Sequence, residues 1–430
     1  MSAVHRECSR FLHEKILSNG FRVLVHEMPY ANSVTAEIFV KAGSRYEPIP
    51  GISHFLEHMI DEGSQKYPSP RDIRKIVKKH GAMTRFSTYK DYVSYRIKVP
   101  SEHKVFSFQF LKELLFNPLI AHEAIEKEKK IILREIAQLI DDTFQYTIYE
   151  LLPRHIWGRD HPLGRSALGS KKSITSISRN DLVDFHQKFY TPSNIVLAVA
   201  GNVDADEVFE LSERHFGDLL QTTQEQKTST IFNLPYNRGI LVQKRNSQQS
   251  SIAISIATNI TFPDNDFAAL VVLNNLIGNQ IFYKFIYDLG ICYVADALPI
   301  NVSTDNSELI FIVQVSPEKT EKAFKLLVNE MKNAEINNET LEEAKNDAKR
   351  ILFLTISDTD EHTGFIGMQE ILYGDVKSPQ QMKMAVDHVS LEDVDRLKRE
   401  WISEEHSGSV ILGPVKTSLK KKLSNTWAKN

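Results

Sequence analysis

Short apolar runs of period two alternate along the chain with longer segments whose apolar positions recur every three or four residues. Phe21-Arg-Val-Leu-Val-His26 follows the turn pair Asn19-Gly20 and reads as a strand. Ser33-Val-Thr-Ala-Glu-Ile-Phe-Val40 is rich in β-branched residues and should pair with it. A loop with two prolines, Gly43 to Gly51, leads into a helix from Ile52 or Ser53 to about Gly63. Further helices are predicted from Ser69 or Pro70 to Lys79, from Glu102 to Phe116, and over a longer region from Glu123 to Tyr149. Met83 to Val99 contains a long strand, alternating well over Tyr92 to Val99. A helix over Asn180–Phe189, a buried strand Ile195–Ala200 closed by Gly201, and a helix over Ala205–Phe216 complete the first half.

A polar, Gln/Thr-rich stretch then reads as a linker, and the pattern starts again. Ser251–Ala257 echoes Ser33–Val40, and Asp264–Asn279 falls where the first helix fell. Ile310–Pro317 echoes Tyr95–Pro100, and Val410–Gly413 echoes Leu197–Gly201. Val99 and Val315 are 216 residues apart, Gly201 and Gly413 212. So constant a period predicts a tandem duplication. The expected fold is α+β: two similar α/β-sandwich domains with antiparallel-rich sheets covered by helices. The boundaries drawn are 1–220, a linker at 221–235, and 236–430.

The first half carries something the second lacks. In Gly51-Ile-Ser-His54-Phe-Leu-Glu57-His58-Met59, residues 54, 57 and 58 share one helical face. Two imidazoles a turn apart can bind one Zn²⁺, and the carboxylate between them is placed as a base for water. The order is H-x-x-E-H, the inverse of the commoner H-E-x-x-H. Shifted by 216, these positions become Leu270, Leu273 and Asn274, so the scaffold does not require His/Glu/His there. A catalytic zinc site normally takes a third protein ligand. Glu135, among Ile131, Ile132, Leu133 and Ile136 on the long helix, is the best candidate. Glu128, seven residues earlier on the same face, could support a ligating histidine from behind.

Composition narrows the classes further. The chain has 430 residues, enough for two cores, with 42% hydrophobic and 25% charged residues, as in soluble globular proteins. A net charge of −3 gives no general attraction to nucleic acid or anionic membrane. No apolar run approaches a membrane span, and Met1 to Arg10 lacks an apolar signal core. With only Cys8 and Cys292, a disulfide scaffold is excluded and a reducing cytoplasm is the expected location. The basic stretch Lys416–Lys429 reads as a frayed, solvated terminus.

Nearly the whole chain resembles the pitrilysin family of zinc peptidases, in the half-length branch that includes mitochondrial processing peptidase subunits and bacterial relatives. The stretches are Leu17–Val25, Val40-Lys-Ala-Gly-Ser-Arg-Tyr-Glu47, the Gly51–Met59 motif, Glu128–Glu135, His161-Pro-Leu-Gly164 with Gly169, and Phe189–Val203. The resemblance implies zinc on His54, His58 and Glu135, Glu57 as general base and Glu128 in support. It also implies peptide contacts at Arg85, Phe86 and Thr88, where the family usually reads Asn-Ala-x-Thr, and at Tyr293. Family members that act alone carry an arginine where Ile286 stands here. An apolar residue cannot polarise a carbonyl. The expectation is therefore a zinc endopeptidase for unfolded or leader/precursor peptides, paired with a sister subunit that supplies the Arg/Tyr. A homodimer is the alternative assembly, and a non-catalytic structural or peptide-holding subunit the alternative function.

Overall fold

The computed structural model describes residues 12–220, 236–298, 300–304, 306–355 and 357–428. The linker expected at 221–235 and Cys8 lie outside the described residues. The strands are β1 (His13–Ile16), β2 (Arg22–Glu27), β3 (Ser33–Val40), β4 (Met83–Thr88), β5 (Val93–Pro100) and β6 (Ile195–Gly201). After them come β7 (Gly239–Lys244), β8 (Ser250–Thr258), β9 (Cys292–Ala297), β10 (Asn301–Ser303), β11 (Asn306–Val315) and β12 (Ser407–Gly413). The longer helices are α1 (Ile52–Glu62), α2 (Pro70–Lys79), α3 (Lys104–Phe116), α4 (His122–Asp141), α5 (Arg179–Phe189) and α6 (Ala205–Phe216). The later ones are α7 (Phe267–Phe282), α8 (Thr320–Lys332), α9 (Asn338–Arg350), α10 (Thr359–Tyr373), α11 (Pro379–His388) and α12 (Leu391–Trp401).

One sheet runs β1-β2-β6-β3-β5-β4, the other β10-β11-β8-β12-β7 with β9 also on β11. The order β2-β6-β3-β5 of the first matches β7-β12-β8-β11 of the second. In each, the first of these pairs is parallel and the rest are antiparallel. The duplication is therefore a repeat of topology as well as of pattern. Leu270, Leu273 and Asn274, the counterparts of the motif residues, are buried in α7.

The chain's contacts divide it differently from a single cut at the linker. One unit comprises 1–136, 166–228 and 353–378; the other comprises 137–165, 229–352 and 379–430. The reason lies in the second face of each sheet. In the first unit, Val34, Ala36, Ile38 and Val40 of β3 face the core under α1 and α3. Thr35, Glu37 and Phe39 point the other way, which the alternation suggests is solvent. They are instead buried beneath α10. Thr35 donates to Asp360 at 2.6 Å, Glu37 accepts from Arg96 at 2.8 Å and Thr363 at 2.9 Å, and Phe39 joins Ile366, Ile371 and Leu372. In the second unit the corresponding face packs on Ile148, Leu151, Leu152 and Ile156.

Three stretches are more divided or more ordered than the sequence pattern suggests. The span 83–99 holds β4 as well as the long strand β5, because the chain turns at Tyr89–Tyr92, where Asp91 is buried against Arg45 at 3.2 Å. The long helix ends at Asp141, because the Asp142 side chain caps a new start by accepting from the Gln145 N–H. The basic C-terminal segment is docked: Leu423 and Trp427 are buried in the second unit's core, and Lys416, Lys420, Lys421 and Lys422 remain exposed.

Gly367 is where α10 comes closest to β3. A Cβ there would lie 2.0 Å from the Phe39 ring. Helix propensity alone makes Gly→Ala stabilising by about 1 kcal/mol. Here the overlap should reverse the sign, and Gly367→Ala is expected to destabilise by about 1–3 kcal/mol in urea unfolding. Gly364→Ala, which meets only an Arg96 nitrogen at 3.0 Å, should be better tolerated. A stabilised Gly367→Ala protein would mean that α10 does not sit this close to β3.

Candidate metal centre

The site is built on α1. Its start is fixed by Glu47, a residue the sequence reading did not single out. The N–H groups of Gly51 and Ser53 donate to the Glu47 carboxylate at 2.8 and 3.0 Å, and Glu47 is buried. A carboxylate there satisfies free amide donors and matches the positive end of the helix. An acidic residue just ahead of a helix start was the available signal. Gly51 has φ +90°, and a Cβ would lie within 3 Å of Ile174, Leu168 and Gly169, so only glycine fits. Ile52, Phe55, Leu56, Met59 and Ile60 fill the core, which leaves His54, Glu57 and His58 on the opposite face.

α4 supplies the rest, burying Ile125, Glu128 and Ile132. Glu128 Oε2 lies 2.8 Å from His58 Nδ1. That bond turns His58 Nε2 towards His54 Nε2, at 3.3 Å, and Glu135 Oε2, at 3.4 Å. Glu135 Oε2 is 3.8 Å from His54 Nε2, and one ligand atom from each of the three lies within 4.8 Å of the others. Two imidazole nitrogens and a carboxylate oxygen converging on one point are the donor types that a three-ligand zinc site takes. The residues therefore fit the metal. Glu128 adds the carboxylate behind a ligating histidine that fixes its ring. Lys127, 2.8 Å from Glu62, lies 3.5 Å from the other Glu128 oxygen.

Electrostatics divide the two histidines. Burial, with His58 as a second cause, pulls His54 down to about 4. Burial also opposes charge on His58, but the Glu128 and Glu135 carboxylates outweigh it and hold its pKa up at about 10. Burial raises Glu57, and the Thr88 hydroxyl opposes that rise.

The substrate residues named from the sequence are dispersed. Thr88 donates to Glu57 Oε2 at 2.6 Å. Phe86 is on the same face of β4, half-buried with its ring centroid 5.1 Å from that of Tyr95. Arg85 alternates to the opposite face, away from Glu57, and is exposed. Tyr293 falls in β9, and its side chain lies outside what the structure describes. Ile286 packs on the second unit's core. Sequence reasoning also missed Tyr95 and Tyr190, whose buried hydroxyls lie 2.5 Å apart and whose pKa values burial raises, with Glu57 a lesser cause.

Two duplicated α+β units, one of them bearing an inverted His/Glu/His motif closed by a distant glutamate, define an M16-type peptidase scaffold. Residues 22–171 match the family described as Insulinase (Peptidase family M16), and 176–347 match the Peptidase M16 inactive domain. The chain belongs to peptidase family M16. An uncharacterized zinc protease of Bacillus subtilis is 26% identical, over 91% of this chain and 96% of its own length. The beta subunit of the mitochondrial-processing peptidase of Lentinula edodes is 25% identical, over 93% and 89%. A protease from Helicobacter pylori shares the fold with a TM-score of 0.84 at 21% identity, over 94% of this chain and 99% of that one. A peptidase M16 inactive domain from Pseudomonas fluorescens does so with a TM-score of 0.85 at 18%, over 94% and 98%.

Because ligating histidines must be neutral, zinc uptake by the metal-free chain near neutral pH should release about one proton, from His58. Apparent affinity should then rise about tenfold per pH unit as pH rises towards the His58 value and level off above it. Zinc titration in weakly buffered indicator dye reads this, and zinc uptake without proton release would refute it. Glu128→Gln should weaken zinc binding by about 10- to 100-fold.

Proposed function

We propose that the chain is a zinc-dependent endopeptidase for unfolded peptides or leader and precursor peptides, acting as the zinc-bearing subunit of a heterodimer. The observation that carries this reading is the convergence of His54, His58 and Glu135 with Glu57 beside them on the same helical face. A pure scaffold subunit would have no use for that carboxylate. Zinc, held by these three residues, would supply Lewis-acid polarisation of the scissile carbonyl and acidify the attacking water. Glu57 takes the water's proton and delivers it to the leaving amine, as a positioned carboxylate can. β4 is the sheet's edge strand, so its outer backbone groups can pair with an extended peptide.

The need for a sister subunit rests on Ile286, which brings neither charge nor hydrogen-bond donor to a substrate. The Lentinula edodes relative, named as the beta subunit of a processing peptidase, is in keeping with such an assembly.

Together with a sister subunit, the zinc-loaded chain should cut members of a mixed peptide library, read by mass spectrometry, and chelator should abolish the cutting; cutting by the isolated chain would remove the need for the sister subunit. Silence from a folded, zinc-loaded chain that becomes active with a sister subunit would support the heterodimer. Glu57→Gln should bind zinc normally and lose about 10²- to 10⁴-fold in kcat. Unimpaired cleavage by that variant would remove Glu57 from the mechanism.

A further inference from the structure

Thr88 makes the one direct side-chain hydrogen bond to Glu57 among the described residues, its hydroxyl donating to Oε2 at 2.6 Å. The neighbouring Tyr95 and Tyr190 hydroxyls bond to each other. A carboxylate with one oxygen anchored has its plane fixed, and the other oxygen is left to take a proton. The donor also stands on a particular element. Thr88 is the last residue of β4, paired with Val93 just before the turn, and among the described residues no strand pairs with the far side of β4. The Glu57 carboxylate is thereby tied to the edge strand as well as to its own helix. Threonine suits the task because its branched Cβ restricts χ1 and holds the hydroxyl in place.

We propose that Thr88 is a positioning residue: it sets the orientation of Glu57 relative to β4, so that the base and a peptide added to that strand are held to one element. This rests on the endopeptidase reading above, and it replaces the peptide-binding role that the sequence assigned to Thr88. Whatever pairs with the outer edge of β4 would stiffen the strand that carries the donor, so substrate docking and orientation of the base become one event. A misplaced base costs rate without costing binding.

The test uses the full zinc-loaded chain, with its sister subunit if cleavage requires one. Thr88→Val keeps the shape and removes the donor; kcat should fall about 10- to 100-fold with KM changed less than about twofold. Thr88→Ser restores the hydroxyl and should recover kcat to within about threefold. In the Glu57→Gln background, Thr88→Val should leave peptide affinity, read by fluorescence anisotropy, unchanged within about twofold. A crystal structure of Thr88→Val should show the Glu57 carboxylate in a new orientation or in several. If Val proves too disruptive to fold, Thr88→Ala gives the same comparisons. The proposal is overturned by unchanged kcat in Thr88→Val, by a serine variant no better than valine, or by weakened peptide binding in the Glu57→Gln background. It is also overturned by an unmoved Glu57 in the crystal, even for a chain that cleaves nothing. Failure of the endopeptidase reading looks different: the unmodified zinc-loaded chain, with its sister subunit present, would cut no peptide at all.

Discussion

The organising constraint is the convergence of two imidazoles and a carboxylate, from two different helices, on one point. His54 Nε2, His58 Nε2 and Glu135 Oε2 lie 3.3 to 3.8 Å apart. Holding them there takes two helices at fixed depth and rotation. α1 is fixed by its capped start, with Glu47 across the first amides and Gly51 in a conformation other residues resist. α4 is fixed by burial of Ile125, Glu128 and Ile132. The buried carboxylate of Glu128 faces His58 at 2.8 Å and Lys127 at 3.5 Å.

Much of this was legible in the sequence, and for physical reasons. The period of the motif helix and the position of Glu135 two turns after Glu128 follow from 3.6 residues per turn. The duplication was legible because both halves bury the same sheet face, and burial imposes the same apolar spacing. The repeat also singled out the candidate site by subtraction, since Leu270, Leu273 and Asn274 stand where His54, Glu57 and His58 do in the first half.

What the sequence hid was everything decided by distant packing. Thr35 and Glu37 alternate with apolar neighbours as solvent-facing residues do, yet α10, more than 300 positions away, covers them. The bends at Asp91 and Asp142 depend on where single carboxylates find partners. Arg85 and Phe86 are adjacent in sequence but face opposite sides of β4, a consequence of the pleat.

The interchange of covering segments has a consequence for biosynthesis. Tyr92, Phe39 and Val196 of the first unit stay without their apolar cover until residues 359–373 have been made. At ribosomal speeds of about 5–20 residues per second, that is roughly 8–30 s after the first half is complete. During this interval the nascent chain presents a sheet whose outer face carries aromatic rings and the carboxylate of Glu37. Such a surface is a natural client for a chaperone, and the chain cannot be cut at its midpoint into two self-sufficient halves.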